Sequence, residues 1–222
     1  MLTLAQVKKN PQIIELVKQT EEVLASLSYT DHGIRHADLV SDRARNIAKE
    51  IGLGENEREL AAIAAFCHDI GNFLSRTFHN YLGALLFHQI FQNDFRPRDL
   101  MVIMQAISNH DKEVEKISFS NPISAVVILA DKSDVHRSRV ADKSLNIISQ
   151  DIHDRVNYAT TESHLKISKK TKRITLTLKI DTNFVQIMEY FEIFTARMVF
   201  CRKAAESLGY DFGLVINNFK LL

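Results

Sequence analysis

The run from Leu60 to Gly71, LAAIAAFCHDIG, is an apolar helix-forming stretch that carries His68 and Asp69 side by side at its C-terminal end. A buried imidazole beside a buried carboxylate must be paired, hydrogen-bonded or bound to a metal, because an uncompensated buried charge costs several kcal/mol. Adjacent residues of a helix point about 100° apart, so both side chains reach an ion lying off the helix end, with Gly71 as a natural stop just beyond. A lone His-Asp pair is ordinarily a satisfied core pair. Here it has company. His36 lies 32 residues before His68 on another helical pattern, and Asp131 stands in ILADKSD, an apolar helix that ends in polar residues. These four are hard or borderline ligands on otherwise apolar surfaces, a set that suits a divalent ion.

The elements that must position them follow from period and caps. Asn10 as N-cap and Pro11 at the first helical position open a helix with Ile13, Leu16, Val17, Val23, Leu24 and Leu27 at helical spacing. After Tyr29 to Gly33 a second helix places Ile34, Ala37, Val40, Ala44, Ile47 and Ile51 inward, with His36 near its start. Gly52-Leu53-Gly54 stops it, and Glu55 or Asn56 begins the central helix. Further helices are predicted over His79 to Phe91, from Pro97 to about Ser108, and after an Asn121-Pro122 cap to Asp131. Gly83 lowers helix propensity by ~1 kcal/mol while allowing close packing. From about Thr160 the period becomes two: Leu165 and Ile167, then Ile174, Leu176, Leu178 and Ile180, alternate with polar residues, and Lys169 to Lys172 form the turn. A long helix from Phe184 to Leu208, stopped by Gly209, and a strand through Phe212, Leu214 and Ile216 complete a β-β-α-β pattern.

The set His36, His68-Asp69, Asp131 resembles the ligand pattern of the HD superfamily of metal-dependent phosphohydrolases, and the match extends to the HDIG string and to Ala130-Asp131-Lys132. It covers residues 30 to 135. The fold class expected is mainly α, an HD-type helical bundle over residues 1-158 with a small β-β-α-β appendage over 159-222. His79 and His110, each at a predicted helix edge in polar company, stand where dinuclear members of the superfamily carry two extra histidines. The resemblance implies one or two divalent ions: one on His36, His68, Asp69 and Asp131, and a second on Asp69 as a bridge with His79 and His110, which in a one-ion centre would instead contact substrate phosphate or cap helices. Manganese, iron, cobalt, nickel, magnesium or zinc all suit such a set. When bound, such an ion acidifies water from a pKa of about 15.7 towards ~7 and neutralises phosphate charge, supplying hydroxide for in-line attack. Asp69 and Lys132 are the expected catalytic residues, and Lys132 and Arg137 the expected phosphate contacts, with Arg139 read as a solvated surface cation or a salt-bridge partner. Asp134 is placed to orient Lys132 or a ligand histidine.

Composition narrows the rest. The 222 residues suffice for a real core, and 28 Lys plus Arg against 27 Asp plus Glu leave no global field for nucleic acid or an anionic membrane. Cys67 and Cys201 sit in apolar helical patterns and read as small buried hydrophobes in a cytoplasmic, reducing setting. No run approaches the ~18 apolar residues of a membrane span, and neither signal peptide nor membrane segment is expected. The lysines and Arg173 of the Lys166 to Lys179 hairpin read as a solvated face without the aromatics of single-strand binders. His32, His88 and the Asp151 to Arg155 run read as structural, and Arg35 and Arg43 receive no role.

Two functions fit. The first is hydrolysis of a small phosphomonoester or phosphodiester, nucleotide-like in kind, with no polymer or membrane partner and with room for a homo-oligomer. Asp111-Lys112-Glu113 departs from the Gly-Tyr-Pro of cyclic-dinucleotide enzymes, and Ile70-Gly71-Asn72-Phe73 lacks the Glu-Asp pair of guanosine tetraphosphate hydrolases. The second is a sensing or protein-interaction module that keeps the pocket without turnover.

Overall fold

The computed structural model describes residues 2–112, 119–140 and 144–222. Contacts gather them into two compact units, Met1–Asp131 and Lys132–Leu222. The first unit is helical. After the short α1 (Leu4–Val7) come α2 (Pro11–Ser26), α3 (Ile34–Ile51), α4 (Glu55–Phe66), a 3-10 turn (Ile70–Phe73), α5 (His79–Phe91), α6 (Pro97–Asn109) and α7 (Pro122–Lys132).

The caps explain the boundaries. The Asn10 side chain accepts from the backbone N–H of Gln12 and Ile13, and Asn121 does the same for Ile123 and Ser124. Gly52 ends α3 in the left-handed region, φ 94°. Every residue of α4 from Leu60 to Phe66 is buried. That explains its near-continuous apolar sequence: α3 packs along it and α6 crosses it.

Buried side-chain hydrogen bonds tie successive helices together. Ser41 on α3 donates to Ala62 O on α4 at 3.0 Å. Asn80 on α5 donates to Ser108 O on α6 at 2.6 Å, and Asn109 on α6 donates to Ser124 on α7 at 3.2 Å. Each bond satisfies a polar group that burial would otherwise penalise, and fixes the register of two helices.

Gly71 departs from its sequence reading. It does not terminate a helix: α4 stops at Phe66, Cys67 caps it, and His68 and Asp69 lie in the break before the 3-10 turn. Gly71 is small because α5 crosses it. A Cβ there would lie 2.1 Å from His79 O and 2.5 Å from Gly83 N. Gly83 completes the crossing, since its own Cβ would meet Gly71 N at 3.3 Å and His68 O at 3.4 Å.

In the second unit α8 (Leu145–Ile148) and α9 (Ile152–Ala159) lead into β1 (Thr160–Ser168) and β2 (Arg173–Ile180), then α10 (Ile187–Ser207), β3 (Asp211–Ile216) and β4 (Phe219–Lys220). The sheet order is β1-β2-β3-β4, with β2 and β3 parallel across the α10 connection and the other pairs antiparallel. Ile174, Leu176, Leu178 and Ile180 are all buried, as their alternation requires. The change of period at residue 160 marks the junction of α9 and β1, inside this unit, because α9 packs on β1 and α10.

Two elements differ from the sequence reading. The long helix begins at Ile187, three residues late, because Asp181 O accepts from both Phe184 N and Val185 N at 3.2 Å and holds that stretch in a turn. A fourth strand follows Asn217 and Asn218, whose φ values of 49° and 71° make a tight hairpin turn. Among the described residues no helix is long and apolar enough to cross a membrane, and Cys67 and Cys201 are buried free thiols.

The glycine crossing yields a paired expectation. Gly71→Ala forces backbone against backbone and costs about 3 kcal/mol, whereas Gly83→Ala meets one tight contact, 3.3 Å to Gly71 N, that a shift of a few tenths of an ångström relieves, and costs ~1 kcal/mol or less. Urea denaturation of both variants checks the order, and equal midpoints would refute the assigned crossing.

Candidate metal centre

The six ligand candidates stand where helices of the first unit begin or end. His36 lies in the first turn of α3, His68 and Asp69 follow α4, His79 opens α5, His110 caps α6 and Asp131 lies in the last turn of α7. Helix ends are where backbone groups lack intrahelical partners, and the site uses them. His68 donates Nδ1–H to Ala65 O at 2.7 Å, His79 to Arg76 O at 2.9 Å and His110 to Ile107 O at 2.7 Å. Each imidazole thus spends one nitrogen on the carbonyl three residues before it, which leaves Nε2 to carry the lone pair.

Those Nε2 atoms face one another in two pairs. His36 and His68 approach to 3.3 Å, His79 and His110 to 3.1 Å. Asp69 lies between the pairs and divides its oxygens: Oδ2 is 3.1 Å from His68 Nε2 and 3.7 Å from His36 Nε2, while Oδ1 is 3.4 Å from His79 Nε2 and 3.6 Å from His110 Nε2. Asp131 Oδ1 adds a second carboxylate to the first pair, 3.5 Å from His36 and 3.6 Å from His68. All six residues are buried. Overlapping triads of their donor atoms lie within 4.8 Å of one another. Lone pairs held face to face at such distances repel unless a proton or a cation lies between them, so the donor set fits a divalent ion in each half.

The electrostatics carry the same sign. Burial opposes charge on His68, but Asp69 and Asp131 outweigh it and raise its pKa to about 10. Burial also opposes charge on Asp69, yet His68 and His110 hold its carboxyl well below the usual range. For His79 burial dominates, reinforced by His110 and Arg76 against Asp69 and Asp111, and its pKa falls to about 4. The metal-free cluster therefore keeps a proton on His68 and a bare lone pair on His79 at neutral pH.

Asn72 and Arg76 are the residues the sequence reading passed over. Asn72 donates Nδ2 to Asp69 Oδ1 at 2.8 Å and to Asp69 O at 3.0 Å. Its Oδ1 accepts from Arg76 Nη1 at 3.0 Å. Thr20 Oγ1 donates to Asp69 O at 3.4 Å. The signal was there in the spacing, since Asn72 stands three residues after Asp69 and Arg76 four after Asn72. His32 is closer than its structural reading implied, its ring 5.5 Å from that of His36.

Lys132 and Arg137 belong to the second unit. Lys132 is buried at the end of α7, and Arg137 stacks over Tyr158 at 5.3 Å in a 3-10 turn (Arg137–Arg139). Arg139 is buried and not a surface cation: its Nη1 donates to the backbone Asp134 O at 3.0 Å and its Nε lies 3.8 Å from Asp134 Oδ2. Asp151 caps α9 by accepting from His153 N and Asp154 N, and Arg155 pairs with Glu189 rather than with its neighbours. Arg35 pairs with Asp31.

Comparison with known proteins places this geometry. A model of the HD domain family matches residues 33–158, more than half of the chain, and the chain belongs to that family. Over 154 residues it is 23% identical to an uncharacterized protein of Methanocaldococcus jannaschii, MJ1020, matching 59% of this chain and 58% of that relative. The chain thus spans little more than half the length of that curated relative. A crystal structure described as a predicted HD superfamily hydrolase from an uncultured Thermotogales bacterium is 19% identical, with a TM-score of 0.44 over 61% of this chain and 75% of that one.

Metal uptake should follow the proton on His68. With its pKa raised to about 10, His68 is protonated at pH 7.5, and an ion between it and His36 must expel that proton. Calorimetric titration in buffers of different ionisation enthalpy should show release of about one proton per chain on binding the first ion. Apparent affinity should rise with pH until about 10. Heat independent of buffer would refute the assignment.

Proposed function

We propose that the protein is a metal-dependent phosphohydrolase that cleaves a small phosphomonoester or phosphodiester. The observation that carries this reading is the division of the Asp69 carboxylate between two imidazole pairs. A buried carboxylate with one oxygen towards each pair suits two neighbouring divalent ions, one held by His36, His68, Asp69 and Asp131, the other by Asp69, His79 and His110. Such ions, when bound, acidify water and neutralise charge on phosphate oxygens.

The chain's own part is positioning. The three Nδ1–H bonds to backbone carbonyls lock the imidazole planes, and Asn72 and Thr20 hold Asp69 from the side chain and the backbone. Preorganisation of this kind means that little reorganisation remains when charge develops on the phosphoryl group. Lys132, the last residue of the helix that carries Asp131, is proposed to hold a non-bridging phosphate oxygen. The buried set also favours an enzyme over a pure interaction module, since a scaffold gains nothing from burying a carboxylate among four imidazoles in one place.

The test pairs metal analysis with turnover. Protein reconstituted with manganese should hold about two ions per chain and hydrolyse p-nitrophenyl or bis-p-nitrophenyl phosphate. Asp69→Asn should lower kcat by about three orders of magnitude with unchanged far-UV circular dichroism. Lys132→Met should lower kcat/KM about a hundredfold while leaving the ion content intact. A fully loaded protein inert on a broad panel of phosphate esters would overturn the hydrolase reading and leave the module.

A further inference from the structure

The two halves of the cluster are unequal, and the difference lies in a residue outside the ligand set. The first half has two imidazoles and two carboxylates, Asp69 Oδ2 and Asp131 Oδ1. The second has two imidazoles and one buried carboxylate oxygen, Asp69 Oδ1, while its other carboxylate, Asp111 Oδ2, 3.7 Å from His79 Nε2, is exposed and also faces Arg76. Arg76 stands against this poorer half and grips His79 at both ends. Its backbone carbonyl accepts Nδ1–H at 2.9 Å, and its guanidinium Nη1 lies 3.3 Å from Nε2, the atom that also faces His110.

The guanidinium is well anchored. Asn72 Oδ1 accepts from Nη1 at 3.0 Å, the Tyr29 ring lies beneath at 5.6 Å, and Asp111 Oδ2 is 3.8 Å from Nη2.

We propose that Arg76 is the resident cation of the His79–His110 half, holding the His79 lone pair until a second divalent ion displaces it, so that the centre fills in a fixed order. This rests on the two-ion reading above. An imidazole Nε2 has one lone pair and cannot accept from Nη1 and ligate an ion at once. An arginine cannot resolve the conflict by losing its proton, because its pKa exceeds ~12. The guanidinium must move instead. Asp111 lies within a short swing, and the Arg76 side chain is 32% exposed, so the path leads outward. Even displaced, its charge stays near the incoming ion and opposes it. The first ion displaces a proton that leaves for solvent, not a cation tethered to the fold, and its second carboxylate, Asp131, is buried. At limiting metal the protein therefore carries one ion and one guanidinium, and the second ion enters only at higher concentration.

Calorimetric titration with manganese separates the steps. Wild type should bind two ions with distinct dissociation constants, and Arg76→Met should tighten the second about tenfold while shifting the first by less than about twofold. A second constant unchanged or weakened in the variant, equal shifts of both, or a single ion in both proteins would overturn the inference. No manganese binding by either protein would instead overturn the two-ion reading beneath it. Should the variant fail to fold, side-chain nitrogen NMR of arginine during a zinc titration of wild type gives the same answer. One guanidinium resonance should move only after the first equivalent, and movement with the first equivalent, or none at all, would refute the proposal.

Discussion

The Asp69 carboxylate is the constraint around which the first unit is built. It is buried, it is held ionised by imidazoles on both sides, and its two oxygens serve two separate pairs. A charge in that position is costly unless its neighbours are fixed, since several kcal/mol of lost hydration must be recovered by geometry. The surrounding structure supplies that fixity. Thr20 and Asn72 hold the backbone carbonyl of Asp69, and Asn72 also holds Oδ1. The break after α4 sets His68 and Asp69 in a turn between two helical segments, with both side chains facing the gap between helix ends.

Backbone proximity serves the same end. Gly71 lets the His79 carbonyl come so close that no other residue fits, and Gly83 accepts the His68 carbonyl against α5. The two histidine-bearing segments are thereby brought to a spacing at which imidazoles from each can share one carboxylate. Phe78, left-handed at φ 63° and exposed, turns the chain sharply into α5 just before His79. A non-glycine residue in that conformation carries ~1 kcal/mol or more of strain, which the packing of the helix behind it offsets. The same residues therefore account for both the crossing of the helices and the direction of the ligand.

Much of this was legible in the sequence. The helices carry strong caps, such as Asn10-Pro11 and Asn121-Pro122, and long apolar periods, both of which act locally and so survive in one dimension. The six ligand candidates could be picked out because polar ligand types on apolar helices are conspicuous. The roles of Gly71, Asn72 and Arg76 could not be read in the same way. Gly71 imitates a helix stop, and only the path of α5 reveals that it is a crossing point. Asn72 and Arg76 are ordinary polar residues until the fold shows which atom each one touches. Helix α10 began late for a similar reason, since the turn at Asp181 competes locally with an otherwise helical pattern. The fourth strand was too short for any period to register.

The burial of so many ionisable groups also fixes how the folded state and the ion depend on each other. Without metal, the first half of the cluster is reconciled by a proton on His68 and the second by the guanidinium of Arg76, so each half already contains one positive charge. The unfolded chain has neither the convergence nor the low dielectric that makes these charges necessary. An ion that binds only the folded form stabilises it by RT ln(1 + [L]/Kd), about 2.7 kcal/mol at a hundredfold excess over Kd. That gain is largest where the ion replaces the weaker arrangement. In the first half it exchanges one proton for a doubly charged ion facing two carboxylates, whereas in the second it must move a cation that the fold has already provided. The order of filling and the stability of the unit are then two consequences of one charge balance, set by where Asp69 places its two oxygens.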